Sequence, residues 1–237
     1  MLSQLISLIP TASPNIILTD FESVAMNAFR ETFPNTRVSG CYFHLCQSIN
    51  RKVNELGLKS VYESNQEIKT YIRCLPALAN VPVNDVSEAF DIYAENMPEY
   101  EHMDELLAYF EKTYIRRRRR FGRIDKSSST IFQIELWNKY DAATDGIART
   151  TNIVEGWHCG LQSLFMCSHP SVWVFIEGLI KDSKKQKASY LQSISGVEHP
   201  TNKRYNKLKE RVLLTTREYG RSNILLYLKA IVHISHS

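Results

Sequence analysis

Two short predicted strands near the start of the chain, with helical periodicity between them, constrain the fold more than any other feature. Ile16–Thr19 is a continuous apolar run typical of a strand that is covered on both faces, and residues 37–43 are predicted to form a second buried strand. Helical patterns also cover residues 1–8 and 45–56. The order helix, strand, helix, strand, helix predicts a parallel α/β sheet.

Candidate functional residues follow both predicted strands, because the carboxyl ends of parallel strands are where such sheets collect functional groups. Asp20 follows the first strand, although it could simply cap the helix predicted from Phe21. Cys41 and His44 form a Cys-x-x-His turn after the second strand. They could lie at the edge of the core, or they could be half of a zinc site completed by Cys46, His158 or Cys159.

The middle of the chain is predicted to be entirely helical from residue 61 to residue 114, because strand patterns stop there. Two predicted helices carry the clearest apolar positions, which are Val86, Ala89, Phe90 and Tyr93 on one, and Met103, Leu106, Leu107 and Phe110 on the next. Another helix is predicted over residues 131–140.

A basic run separates these segments. It comprises Arg116, Arg117, Arg118, Arg119, Arg120, Arg123 and Lys126. The simplest interpretation is a solvated surface, but five consecutive arginines also suit phosphate contacts or nuclear import. We therefore expect nonspecific DNA binding through phosphate contacts.

A helix predicted from Asn152 carries further candidate chemistry. Asn152 and Glu155 have capping-box spacing, and Glu155 and His158 lie one turn apart on one face. The two side chains could share a metal ion or a proton; alternatively, Glu155 only caps the helix and His158 only lies on its surface.

The last part of the chain is predicted to be helical. A long helix over residues 171–195 should bury Val172, Phe175, Ile176, Leu179 and Ile180 and expose Lys181, Lys184, Lys185 and Lys187. Residues 201–237 should form a basic helix and then a short apolar one.

Composition limits the class of protein. The chain has 237 residues, 43% of them hydrophobic and 23% charged, which fits one large domain or one domain with an insertion. A net charge of +4 is too small to indicate a nucleic-acid partner by itself.

The cysteines and the start of the chain bear on the cellular compartment. Five cysteines without a Cys-x-x-Cys pair, and no recognisable signal peptide in residues 1–10, favour a reducing intracellular compartment. The longest apolar run, residues 224–234, is shorter than the roughly 20 residues of a membrane helix, so we expect a soluble protein with no membrane partner.

An ordered set of motifs resembles the transposase domain of Mutator-like elements (MULE) across nearly the whole chain. The motifs are Leu18-Thr-Asp20-Phe-Glu22; Cys41-x-Phe-His44 with Gln47 and Arg51; Tyr109-Phe-Glu-x-Thr-Tyr-Ile115; Leu136-Trp-Asn138; and Arg149-Thr-Thr-Asn-x-x-Glu-Gly-Trp-His158 with His169-Pro-Ser171.

The resemblance implies an α/β fold, a partial RNase H-like (DDE transposase) core with a large all-α insertion, helix-rich overall. Asp20 matches the family's second catalytic aspartate and Glu155 its catalytic glutamate, and both would bind Mg²⁺ or Mn²⁺. Cys41 and His44 match its Cys-x-x-His element. The implied segments are a partial core in residues 1–60, a helical insertion with the basic run in 61–145, helices completing the core in 146–196, and a helical tail in 197–237.

The chain departs from the family at its start. The family's first aspartate lies on a three-strand meander, and three strands of five to six residues do not fit ahead of Asp20 once the first helix is counted. The zinc-finger DNA-binding module that often precedes the domain is missing as well. We therefore expect a nuclear, transposase-derived domain without strand-transfer activity; alternatively, the chain is a domesticated DNA-binding or protein-interaction protein, or a fragment of an active nuclease.

Overall fold

The computed structural model describes residues 2–116, 130–145, 147, 149–165, 169–196, 203–220 and 223–235, with only the backbone of Asn152, Ile153, Glu155 and residues 203–205. This part of the chain is helix-rich and forms two compact units. The first unit comprises Met1–Thr150 and Lys207–Ser237, and the second comprises Thr151–Asn206. No helix in the described ranges is long and apolar enough to cross a membrane. The predicted segment boundaries at residues 60, 145 and 196 remain predictions.

The first unit begins with the predicted parallel arrangement. After α1 (Leu2–Leu8), strand β1 (Ile16–Thr19) leads through α2 (Ser23–Thr32) to β2 (Arg37–Gly40). The two strands are parallel, so the prediction of a parallel sheet is confirmed for this pair.

The second strand is shorter than predicted. It ends at Gly40, and α3 (Tyr42–Glu55) begins two residues later, so the strand predicted to residue 43 was wrong. Aromatic Tyr42 and Phe43 favour strands locally, but Leu45, Ile49 and Val53 bury one face of a helix that begins before them.

A helical body follows the sheet, as predicted for residues 61–114. All eight of the apolar positions predicted there are buried. A C-terminal helix also packs against this body, burying Ile224, Leu228 and Ile231 in the same core. The helices are α4 (Lys59–Ser64), α5 (Gln66–Ala77), α6 (Val86–Glu95), α7 (Met103–Phe110) and, near the end of the chain, the helix Ile224–Ser235.

The helix predicted over residues 131–140 is two short helices, α8 (Ile134–Trp137) and α9 (Tyr140–Thr144). The break occurs because Asn138 adopts an extended conformation, with φ −64° and ψ 141°. Its side chain instead satisfies the backbone: the amide group donates to the Val81 carbonyl at 2.7 Å, and the amide oxygen accepts from the Tyr140 N–H at 3.0 Å. The polar residue thus ties the loop to the helical body.

The second unit contains the hairpin of α10 (Asn152–Phe165) and α11 (Val172–Ile194). Gly178 allows close packing, because a Cβ atom there would lie 2.3 Å from Cε1 of Phe165. The Trp157 indole N–H donates to the Asp182 carboxylate at 2.9 Å. The predicted basic and apolar C-terminal helices are confirmed as α12 (Lys203–Arg217) and α13 (Ile224–Ser235).

The burial predicted for α11 was wrong. Its buried residues are Gly178 and Asp182, which face α10. The five apolar side chains predicted to be buried are exposed, as are the four lysines predicted to face outward. One neighbouring helix can cover only one side of α11, and α10 covers the side that carries Gly178 and Asp182.

Candidate functional site at the carboxyl end of the sheet

The register of the sheet brings the two strand ends together. Thr19 pairs with Gly40, so Asp20 and Cys41 both leave the sheet at the same edge. The Cys41 N–H continues the ladder by donating to the Thr19 carbonyl at 2.7 Å. The prediction that both candidate positions lie at the carboxyl end of the sheet therefore agrees with the register.

Asp20 is exposed at this edge. Its carboxylate accepts weak hydrogen bonds from the Thr19 hydroxyl at 3.3 Å and from the Glu22 N–H at 3.4 Å. The residue that precedes α2 is Glu22, so Asp20 does not cap this helix. Among the described residues no ion pair includes Asp20. Its carboxylate is therefore accessible to a cation from solvent.

Cys41 and His44 occupy the start of α3 and not a turn. Cys41 is fully buried and is the N-cap residue, while His44 lies in the first helical turn. Nδ1 of His44 is buried and has no hydrogen-bond partner. An unsatisfied buried nitrogen is uncommon in proteins, and it distinguishes His44 from an ordinary surface histidine.

The zinc hypothesis gains no support from the described side chains. No three His, Cys, Asp or Glu residues among them are close enough to hold a metal ion. Burial raises the pKa of the Cys46 thiol to about 11, which disfavours the thiolate that zinc requires. His158 is exposed in the second unit. A zinc site formed by Cys41, His44 and His158 thus remains a prediction.

Lys139 is a buried cation next to the sheet that the sequence patterns did not predict. Its side chain is 1% exposed, and its ammonium donates to the Ser39 hydroxyl at 2.5 Å. Burial lowers its pKa from 10.5 to about 8; the Cys41 thiol opposes this change, while Arg37 and Arg149 add to it. Nothing in the local sequence distinguishes Lys139 from a surface lysine, because its burial arises from tertiary packing.

Arg149 connects the residues before α10 to the same edge of the first unit. Its carbonyl accepts the Tyr42 N–H at 2.9 Å, at the start of α3. Its guanidinium donates to the Asn80 amide oxygen at 3.4 Å and lies 5.9 Å from the centroid of the Tyr42 ring. The beginning of the Arg149-Thr-Thr motif is therefore close to the Cys-x-x-His element.

Glu155 belongs to α10, but its side chain and that of Asn152 lie outside the described residues. The helix itself begins at Asn152, and the Val154 N–H donates to the Thr151 carbonyl at 2.8 Å. The capping box and the metal-ligand role of Glu155 therefore both remain predictions.

The basic run has one described member, and that member is an internal ion-pair residue. The Arg116 side chain is only 13% exposed. Its guanidinium pairs with both oxygens of Asp91 and donates to Glu111 at 2.7 Å. These carboxylates neutralise its charge, so we remove Arg116 from the predicted DNA-contacting set. Arg117, Arg118, Arg119, Arg120, Arg123 and Lys126 lie outside the described residues.

Comparison with family models, curated proteins and solved structures finds no match for this chain. The resemblance to Mutator-like transposases therefore rests on the sequence motifs, and the function that it implies is a proposal.

Proposed function

We propose that this chain is a DNA-binding domain derived from a Mutator-like transposase, with a partial RNase H-like core, and that residues 1–237 do not cleave DNA. The observation that carries the proposal is the parallel β1–α2–β2 unit, which presents Asp20 and Cys41 at one sheet edge. These are two of the positions at which the motifs match the family. The helical body after the sheet is consistent with an all-α insertion.

The chemistry of the proposed site depends on carboxylates. Hydrolysis or transfer of a phosphodiester by two metal ions requires oxygen ligands that hold both ions in place. Asp20 offers an exposed carboxylate free of described ion pairs, and Glu155 is the second carboxylate that the resemblance implies. Residues 1–237 contain no third carboxylate that matches the family's catalytic set. We therefore expect Mg²⁺ or Mn²⁺ binding without cleavage.

The proposed DNA contacts come from the basic run without Arg116. Phosphate contacts by lysine and arginine release counterions, so each contact lowers affinity as salt rises. Such contacts carry no sequence information by themselves. We expect weak, nonspecific DNA binding and a nuclear location.

A non-enzymatic interaction protein is the second candidate. The observation that favours it is the large exposed apolar surface of α11, which a purely phosphate-binding protein does not need. The two functions are compatible, since a domesticated domain can bind both DNA and protein.

DNA binding and cleavage can be measured with one set of proteins. Fluorescence anisotropy should give an affinity for duplex DNA that falls steeply with salt. Replacing Arg117, Arg118, Arg119 and Arg120 with Gln should reduce the slope of log K against log salt by about 3 to 4, whereas Arg116→Gln should leave it unchanged. An unchanged slope in the fourfold variant would remove this segment from the DNA-binding surface.

The same wild-type protein should leave supercoiled plasmid intact in Mg²⁺ and in Mn²⁺. Nicking that requires metal and disappears in Asp20→Ala would contradict the inactive assignment and would identify an active nuclease.

A further inference from the structure

A cavity of about 460 Å³ opens in the first unit, where α5, the end of α6 and α13 meet. Small-molecule binding sites have volumes of roughly 300 to 1,000 Å³, so the cavity is large enough for a ligand. The residues of α5 that line it recur at intervals of about one turn and share one face of the helix. They are Gln66, Glu67, Thr70, Tyr71 and Cys74.

The floor of the cavity is buried and rigid. Tyr71 and Tyr93 are both buried, and their rings stack with centroids 4.2 Å apart and planes 15° apart. Each hydroxyl donates to the backbone carbonyl of the other residue, at 3.1 Å and 2.9 Å, which holds the two rings in place. Pro98 and Leu225 extend the apolar lining. Such a floor suits an apolar or aromatic group of a ligand.

Two opposite charges line the same cavity without pairing with each other. Glu67 lies in the first turn of α5 and Lys229 lies on α13, and both side chains are exposed. Among the described residues no ion pair includes either of them. Burial raises the pKa of the Cys74 thiol to about 12, and the Lys229 ammonium opposes this change. The positive charge therefore acts on the buried part of the cavity.

A ligand that carries both charges would neutralise both side chains at once. In an α-amino acid the ammonium and the carboxylate are attached to the same carbon atom, and the side chain leaves that carbon in a third direction. Such a molecule can bridge a carboxylate and an ammonium of the protein that are too far apart to pair directly. Its side chain is then free to contact the aromatic floor.

We propose that this cavity binds a free α-amino acid with an apolar side chain. The ligand carboxylate pairs with Lys229, the ligand ammonium pairs with Glu67, and the ligand side chain lies against Tyr71 and Leu225. The cavity shares no residue with the proposed metal and DNA contacts, and binding there does not depend on them.

Isothermal titration calorimetry of the full chain with L-phenylalanine at pH 7 tests the ligand class. L-phenylalaninamide lacks the carboxylate, N-acetyl-L-phenylalanine lacks the ammonium, and glycine lacks the side chain. Each of these three molecules should bind at least about tenfold more weakly than L-phenylalanine, because each loses one of the three contacts. L-leucine keeps all three contacts and should also bind.

Two substitutions assign the charges to their partners. Lys229→Met should weaken L-phenylalanine about tenfold and leave the affinity for the amide unchanged, since the amide has already lost the group that Lys229 binds. Glu67→Gln should likewise weaken L-phenylalanine and leave N-acetyl-L-phenylalanine unchanged. Lys59→Met and Glu63→Gln are the controls, because both residues are exposed on α4 and do not line the cavity. Both controls should bind L-phenylalanine as wild type does.

Three results would overturn the proposal. The first is that neither L-phenylalanine nor L-leucine binds wild type at about 10 mM ligand, a concentration that detects even millimolar affinity. The second is equal binding of L-phenylalanine, its amide and its N-acetyl derivative. The third is that Lys229→Met and Glu67→Gln bind L-phenylalanine as tightly as the two controls. Far-UV circular dichroism should give equal helix content for wild type and all four variants, since every substituted side chain is exposed.

Discussion

Replacing the buried lysine should stabilise the protein in a pH-dependent way. Lys139 is 1% exposed, and Lys139→Met replaces its charged side chain with an uncharged one of similar length and volume. Because the folded pKa is about 8 instead of 10.5, the fold disfavours the charged form by about 3 kcal/mol at neutral pH. The substitution also leaves the Ser39 hydroxyl without its partner, at a cost of about 1 kcal/mol. The net expectation at pH 7 is a gain of about 2 kcal/mol.

The sign of the pH dependence follows from where the proton binds. Between pH 8 and pH 10.5 the unfolded chain holds a proton on Lys139 that the folded chain has lost, so Lys139 makes the folded state more stable as pH rises through this window. Below pH 8 the folded chain also holds this proton, so the full free-energy cost of burying the charged ammonium of Lys139 is present. The advantage of Lys139→Met should therefore shrink to near zero by about pH 9.5.

Urea denaturation followed by far-UV circular dichroism at the two pH values measures this difference. Burial raises the pKa of Cys46 to about 11 and that of Cys74 to about 12, and these thiols destabilise the fold as pH rises. They affect wild type and variant equally, so the difference between the two proteins isolates Lys139. Lys59→Met, at an exposed lysine, is the control. A loss of stability in Lys139→Met that is equal at both pH values would refute the reasoning.

Two further substitutions test the ion pairs of Arg116 and the close packing at Gly40. Arg116→Gln should lower the free energy of unfolding by about 2 to 3 kcal/mol, because it removes a cation that pairs with the largely buried Glu111 carboxylate. A change below about 0.5 kcal/mol in urea denaturation would contradict the internal ion pair. Gly40→Ala should lower the free energy of unfolding by about 1 to 2 kcal/mol, because the added Cβ would lie 2.7 Å from Cζ of Phe21. The Phe21 ring packs against Phe132, which limits its movement. An unchanged thermal midpoint would mean that this ring shifts freely.

The sequence predicted the elements whose pattern is local. The strand Ile16–Thr19 and the helices with Val86, Phe90, Leu106 and Phe110 on one face were found from hydrophobic periodicity alone. The end of β2 was misjudged because Tyr42 and Phe43 suit a strand as well as a helix.

Burial depends on partners, and that part could not be predicted. The apolar spacing of α11 identified an apolar side, but it does not reveal whether a neighbouring element covers that side. The same limit applies to charged residues. Lys139 and Arg116 have unremarkable sequence neighbours, and their burial results from contacts with Ser39 and Asp91, which are distant in sequence.

Binding of Mn²⁺ tests the central claim most directly, since the resemblance to Mutator-like transposases implies that Asp20 and Glu155 both bind the divalent ion. Carboxylates that share a metal site repel each other when no cation is bound, so under the proposed function Asp20→Asn and Glu155→Gln should each raise the thermal midpoint of the metal-free protein. Gln is also accepted in a capping box, so loss of a helix cap does not confuse the result. Saturating Mn²⁺ should then stabilise wild type and the control Glu31→Gln more than either site variant. Equal stabilisation of all four proteins by Mn²⁺ would contradict the account and would leave Glu155 as a helix cap.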